Sequence, residues 1–331
     1  MRAESDSRIF SRVVRITLLI TGLVLAGTAV PAQVSPADAA GSGTALLEAG
    51  KYQEARGVFE AALRADPADK QAQEGEVESS EHLALQQRAG GHVVQALQAL
   101  LQGEKYVPNS ARLLYDQGIL EDEMHLYPQA LKALDSAQQL HMRNPMLLYA
   151  MARVDLDEGQ LDPAATKMTA YLQLRPDDAS AHYGLGRIYQ LGLQFAKALA
   201  EFEESIRLDP NQTESWFQLG DVELKQDHFD AALADFRKTL ARNPKHGGAL
   251  TESGEVFYQE KKYQQALPLL EQAVAAAPDY QPAHYYLGLT LARLGRSADA
   301  NKELATAVKL ANENNKRESR QYQLILPPGS Q

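Results

Sequence analysis

The residues Thr213–His246, TESWFQLGDVELKQDHFDAALADFRKTLARNPKH, carry the pattern that decides the fold. Apolar residues recur at helical spacing on either side of a polar turn, which predicts two helices joined in a hairpin. Gly220 in the first helix and Ala232 in the second helix are small where the helices come closest, and Phe236 fills the space beside them. Pro244 is expected to end the second helix, because proline has no amide hydrogen to donate.

The same arrangement recurs on both sides of this hairpin. If Ala232 is position 20 of its unit, an alanine occupies that position in eight units, 34 residues apart except for a first interval of 41. Position 8 of each unit is glycine or alanine, and position 24 is a large apolar residue. Because one hairpin is too small to bury both of its faces, this period predicts stacked hairpins with one continuous core. The position-20 residues are Ala55, Ala96, Ala130, Ala164, Ala198, Ala232, Ala266 and Ala300.

These columns resemble the signature of the tetratricopeptide repeat family. The resemblance implies an all-α fold, a right-handed α-solenoid of about eight 34-residue helix-turn-helix repeats. In the hairpin quoted above, the matching residues are Trp216, Leu219, Gly220, Phe229, Ala232, Phe236 and Pro244. The predicted units are 36–69, 77–110, 111–144, 145–178, 179–212, 213–246, 247–280 and 281–314.

The segments outside these units are also assigned from the sequence. Residues 70–76 form a seven-residue insertion after the first unit. Residues 33–41 are small and predict a linker that overlaps the start of that unit, and residues 315–331 predict a polar cap followed by a disordered tail.

The N-terminus has the pattern of an export signal. Four arginines in residues 1–15 precede an apolar run over 16–30, and small residues follow it. This predicts a Sec-type signal peptide over residues 1–32 and a periplasmic protein of bacterial type. A short anchor in the inner membrane is the alternative, although a membrane span needs about 20 apolar residues.

The composition excludes several kinds of chemistry. The chain has no cysteine, so it has no disulfide, thiolate metal site, cysteine nucleophile or lipid-modified cysteine. Its net charge of −10 disfavours a nucleic-acid partner. The eight histidines are not spaced as a helical zinc pair, and neither a phosphate-binding loop nor a nucleophile elbow occurs. We therefore expect no enzyme activity, no cofactor and no bound metal.

The inner face of the first helices is the candidate binding surface. Positions 5 and 9 of each unit lie one helical turn apart, so they share one face. In the family that the chain resembles, this face lines a concave groove for peptides or partner helices. Packing with solvation is the alternative role for these side chains. The candidate groove residues are Tyr115, Tyr149, Arg153, Tyr183, Arg187, Phe217, Asp221, Glu255 and Tyr285.

Taken together, the sequence predicts a non-enzymatic scaffold in the cell envelope that binds a peptide or helix of another protein. A membrane-anchored assembly factor with the same groove is one alternative, and a non-catalytic targeting subunit of an enzyme is another. Self-association through the exposed ends of the repeat array is a third alternative.

Overall fold

A computed structural model describes residues 36–325, with side chains from 41 to 314. The predicted signal segment, 1–32, and the last part of the predicted tail, 326–331, lie outside the described residues. The described chain forms sixteen α-helices and no strand, which confirms the all-α prediction. The helices are α1 (Pro36–Glu48), α2 (Tyr52–Ala65), α3 (Lys70–Ala89), α4 (Val93–Tyr106), α5 (Ala111–Glu123), α6 (Tyr127–Gln139), α7 (Pro145–Asp157), α8 (Leu161–Leu174), α9 (Ala179–Leu191), α10 (Phe195–Leu208), α11 (Thr213–Lys225), α12 (Phe229–Arg242), α13 (Gly247–Gln259), α14 (Tyr263–Ala276), α15 (Gln281–Arg293) and α16 (Ser297–Ile325).

Consecutive helices pair as hairpins, and the hairpins stack in chain order. Each odd-numbered helix packs along the even-numbered helix that follows it, and that second helix then packs on the first helix of the next hairpin. Apolar clusters run through the hairpins from unit to unit. The predicted solenoid of helical hairpins is therefore confirmed.

The closest approach inside a hairpin depends on the missing side chain at position 8. A Cβ atom on Gly220 would lie 2.6 Å from Cε1 of Phe236 and 3.2 Å from the carbonyl oxygen of Ala232. Ala232 and Phe236 are completely buried, so neither can move aside into solvent. Glycine at this position therefore leaves the space that the aromatic ring occupies against the first helix.

The turn inside each hairpin has a fixed backbone shape. Its position-15 residue adopts a positive φ in every described unit, a conformation that favours glycine. Leu193 adopts it at φ 56°. Its side chain is 73% exposed, so packing of that side chain contributes little to stabilising this backbone conformation. The amide of Gln194 closes this turn by donating to the Tyr189 carbonyl over 2.8 Å. The position-15 residues are Gly50, Gly91, His125, Gly159, Leu193, Asp227, Lys261 and Gly295.

Three segments differ from the plain repeat. The insertion 70–76 lengthens α3 to 20 residues, where the first helices of the other units have 13. The added turns cover the first hairpin, because a Cβ atom on Gly75 would lie 2.2 Å from Cζ of Phe59. Residues 36–41 form the start of α1 rather than a linker, and proline and alanines suit such a first turn. At the other end, α16 continues to Ile325.

The contact between positions 8 and 24 can be tested with one substitution made at two glycines. We expect Gly220→Ala to lower the free energy of unfolding by about 1–3 kcal/mol, because the new methyl group overlaps Phe236. Gly57→Ala is the matched control, since Gly57 is an exposed helical glycine with open space around it. It should raise the free energy of unfolding by about 0.5–1 kcal/mol through helix propensity alone. Urea unfolding measures both, and equal effects at the two sites would contradict this account.

Candidate partner-binding groove

The first helices form the inner side of the solenoid. Within residues 36–325, first helices of successive hairpins contact each other in most units, as α11 does with α13 and α13 with α15. Successive second helices lie farther apart, so the array curves with its first helices inside. All nine predicted groove residues lie on first helices, from α5 to α15.

The aromatic residues at position 5 cover the core of their own hairpin. The Tyr149 ring meets Tyr171 edge-on at 5.4 Å between centroids. Tyr183 lies 6.0 Å from the Phe202 ring. Part of each side chain is buried, which raises the pKa of Tyr183 above its ordinary value. These rings therefore pack and also border the groove.

Phe217 and the two end residues of this column differ in exposure. The Phe217 ring lies 4.6 Å from His246 and 6.1 Å from Phe236, so packing accounts for much of its surface. Tyr115 is half-buried, and that burial raises the pKa of its hydroxyl. Tyr285 is 43% exposed, which makes it the member of the column most open to a partner.

The two predicted arginines have different surroundings. Arg153 donates to Asp122 Oδ2 from Nε at 2.8 Å and from Nη2 at 2.5 Å, and Asp122 is buried. Arg153 is therefore joined to the preceding unit by an ion pair. Arg187 instead lies beside Tyr183 of its own helix, where a hydrogen bond between them opposes the upward shift of the tyrosine pKa.

Asp122 is not among the predicted groove residues, because it occupies position 12 of the preceding unit rather than position 5 or 9. The same offset joins Gln190, at position 12, to Asp221, at position 9 of the next unit. A position-12 side chain thus reaches position 9 of the next first helix. In the sequence, comparing position 12 of each unit with position 9 of the next would have identified both pairs.

Acidic residues gather towards the C-terminal half of the groove. Asp221 forms an ion pair with Lys225. Glu255 accepts a hydrogen bond from Gln259 at 3.0 Å and another from the hydroxyl of Tyr286. Glu252 has a carboxylate oxygen that is buried without a hydrogen-bond donor. Burial raises the pKa of Glu252 well above its ordinary value, and the nearby Asp221 and Glu255 charges raise it further.

An apolar hollow near the N-terminal end was also missed. It has a volume of about 220 Å³, and it lies between α3 and α5. Leu85, at position 9 of its unit, is 58% exposed there and Ile119 lines the same hollow. The sequence signal was the apolar Leu85 at position 9 of the second unit, one unit before the predicted groove begins at Tyr115.

The two histidines at position 4, His182 and His284, have structural partners. His182 contacts Glu201 at 2.6 Å and the Pro176 carbonyl at 3.0 Å, and His284 repeats this arrangement with Glu303. Among the described side chains, no group of three or more carboxylate or imidazole ligands is placed to hold a metal ion. None of the described helices combines the length and apolar composition needed to cross a bilayer.

Comparison with known families and structures matches this geometry. A family model described as tetratricopeptide repeat matches residues 41–83, 149–214 and 217–280, and a second model of that description matches 257–317. No curated protein sequence matches the chain.

Several solved structures are similar to parts of the chain. A crystal structure of MamA is 20% identical, with 50% of this chain and 97% of that chain covered and a TM-score of 0.45. MamA from Desulfovibrio magneticus RS-1, from its residue 41 to its end, is 23% identical, with 52% and 97% covered and a TM-score of 0.49. A chain of the APC/C hetero-tetramer Cut9–Hcn1 is 14% identical, with 72% of this chain and 52% of that chain covered and a TM-score of 0.55. The last of these likenesses shows a shared fold.

The different surroundings of the two arginines can be tested by stability. Arg153→Ala should lower the free energy of unfolding by about 1–3 kcal/mol, because the buried Asp122 then loses its donors. Arg187→Ala has no buried carboxylate to expose and should change stability by less than about 0.5 kcal/mol. Thermal and urea unfolding of both variants provide the measurement. A loss of stability of the same size in both would show that the Asp122 pair is not the cause.

Proposed function

The chain belongs to the tetratricopeptide repeat family, and from this premise we propose that a partner protein lies in the concave groove as an extended peptide or a helix. The family and the fold make the chain a protein–protein interaction scaffold. The groove is the surface where first helices of neighbouring units meet, so one bound segment can contact several units at once.

Exposed apolar and aromatic side chains on the inner face carry this proposal. Leu85 is 58% exposed and Tyr285 is 43% exposed, although both lie on first helices whose other faces build the core. Aromatic and arginine side chains contribute most to binding energy at protein interfaces. Tyr183 and Arg187 add such groups between these two ends of the groove. This distribution supports contact along several units.

We propose that the scaffold acts without catalysis, in keeping with the general role of its family. A role as the targeting subunit of an enzyme fits the same groove, because such a subunit also binds its partner without chemistry of its own. The scaffold role and the targeting role differ only in whether the bound partner is an enzyme, and the groove residues are compatible with both.

Groove binding predicts where a partner can be cross-linked. A photoreactive amino acid at Arg187 or Tyr285, on the inner face, should give a covalent adduct with the partner in cells that naturally contain the protein. Arg237 and Lys302 are matched controls, since both are exposed on second helices. Their variants should give no adduct above background. Adducts from the second-helix positions alone would exclude the groove as the binding surface.

We further propose that the protein is exported, with its groove in the periplasm. The arginine-rich start and the apolar run 16–30 support a Sec-type signal. A membrane-anchored assembly factor would keep this run and present the same groove at the inner membrane.

The mature N-terminus distinguishes export with cleavage from anchoring. We expect mass spectrometry of the native protein to find a soluble chain that begins after the apolar run, at Gln33 if cleavage follows Ala32. An intact chain beginning at Met1 in the membrane fraction would support the anchored alternative instead. An intact chain in the cytoplasm would contradict both.

A further inference from the structure

The C-terminal half of the groove contains three carboxylates that the protein only partly neutralises. Asp221 lies on α11, and Glu252 and Glu255 lie on α13, the neighbouring first helix. The charges of Asp221 and Glu255 both raise the pKa of Glu252, which places the three groups within electrostatic reach of one another. Lys225 is the cation that offsets them, and its ammonium pairs with Asp221.

Glu252 is the member of this group without an internal partner. One of its carboxylate oxygens is buried and accepts no hydrogen bond. Buried polar atoms in folded proteins nearly always have a partner, so an unpaired carboxylate oxygen requires an explanation. The residue as a whole is only partly buried, so part of its side chain reaches the surface of the groove although this oxygen does not.

Glu76 shows why exposure matters. It also has a carboxylate oxygen without a partner, but it is completely enclosed between the first two hairpins. Nothing from outside can reach it without opening the core. Glu252 differs because it lies on the inner face, beside side chains that a bound segment would contact.

Tyrosine rings border the three carboxylates. Tyr286 donates its hydroxyl hydrogen bond to Glu255, and its ring lies 5.3 Å from Tyr285 and 6.1 Å from Tyr258. Burial raises the pKa of Tyr280, and the nearby Glu252 charge raises it further. The faces of tyrosine rings attract ammonium and guanidinium groups, and carboxylates do so more strongly. Both features select the same kind of ligand.

We propose that Asp221, Glu252 and Glu255, with the rings of Tyr285 and Tyr286, form an acidic pocket that receives a lysine or arginine side chain of the bound partner. This inference rests on the proposed function, because the cation is carried by a segment in the groove. A cation beside these groups favours the ionised form of Glu252, whose proton passes to solvent, and the cation then donates to the unpaired oxygen of that carboxylate. The partner segment is therefore basic where it crosses α11 and α13.

The pocket can be probed with a basic peptide before the partner is identified. An octalysine peptide, titrated by calorimetry at pH 8, should bind the full chain and lose roughly tenfold in affinity on Glu252→Gln, the loss of about one charge-assisted hydrogen bond. An octapeptide of acetyl-lysine should not bind. Glu203→Gln is the matched control, since Glu203 is an exposed carboxylate on the second helix α10. It removes the same charge and should leave the affinity within about twofold.

Folding is checked separately from binding. Glu252→Gln removes a carboxylate that lies near two others, so its melting temperature should be at least that of the wild type. Equal affinities of the wild type and Glu252→Gln for octalysine would overturn the pocket, as would equal losses in Glu252→Gln and Glu203→Gln. Cross-linking from Arg187 would then still support groove binding. Failure of that cross-linking with a normal octalysine result would leave the pocket in place and overturn the groove as the partner surface.

Discussion

The contact between position 8 of the first helix and position 24 of the second sets the geometry of every hairpin. The three phenylalanines at position 24 all face glycine: Phe59 against Gly43, Phe202 against Gly186 and Phe236 against Gly220. Where position 8 is alanine, position 24 is smaller or more flexible, as Leu100 is with Ala84 and Met168 is with Ala152. The chain thus keeps the combined volume of the two residues within what one helix spacing can hold, as close packing requires.

This spacing also determines what the groove can contain. Because positions 8 and 24 bury one side of each first helix, positions 5, 6, 9 and 12 are left on its inner side. Position 5 then serves two purposes, since Tyr149 and Tyr183 each rest on a core ring and also border the groove. A substitution there changes binding and stability together. Arg187 and Tyr285 depend less on the core, so they report on binding more directly.

The fold was predictable because its signal is local and repeated. Spacing within 34 residues determines where each hairpin begins, turns and packs, and the same spacing recurs in every unit. The ion pair of Arg153 with Asp122 was not predictable in this way, because it joins two units and depends on how far one first helix is offset against the next. The seven-residue insertion before the second unit was predicted from the repeat spacing. Its helical structure as the start of α3 was not, because it depends on the packing of Gly75 against Phe59 in the first hairpin.

The middle and the C-terminal half of the groove differ in whether their buried carboxylates have an internal cation. This difference determines where a partner's cation can add to the binding free energy. In the middle, the Arg153 guanidinium pairs with Asp122 through Oδ2 and leaves only Oδ1 without a donor, so a partner's cation would have to compete with an internal ion pair. At the C-terminal half, Lys225 pairs with Asp221, and the Glu252 oxygen accepts no hydrogen bond. An unpaired buried carboxylate costs stability in the free protein, and a cation that pairs with it recovers that cost on binding. Glu252 has no internal ion pair of the kind that Arg153 gives Asp122. The C-terminal half of the groove is therefore the part that we expect to bind a basic segment selectively.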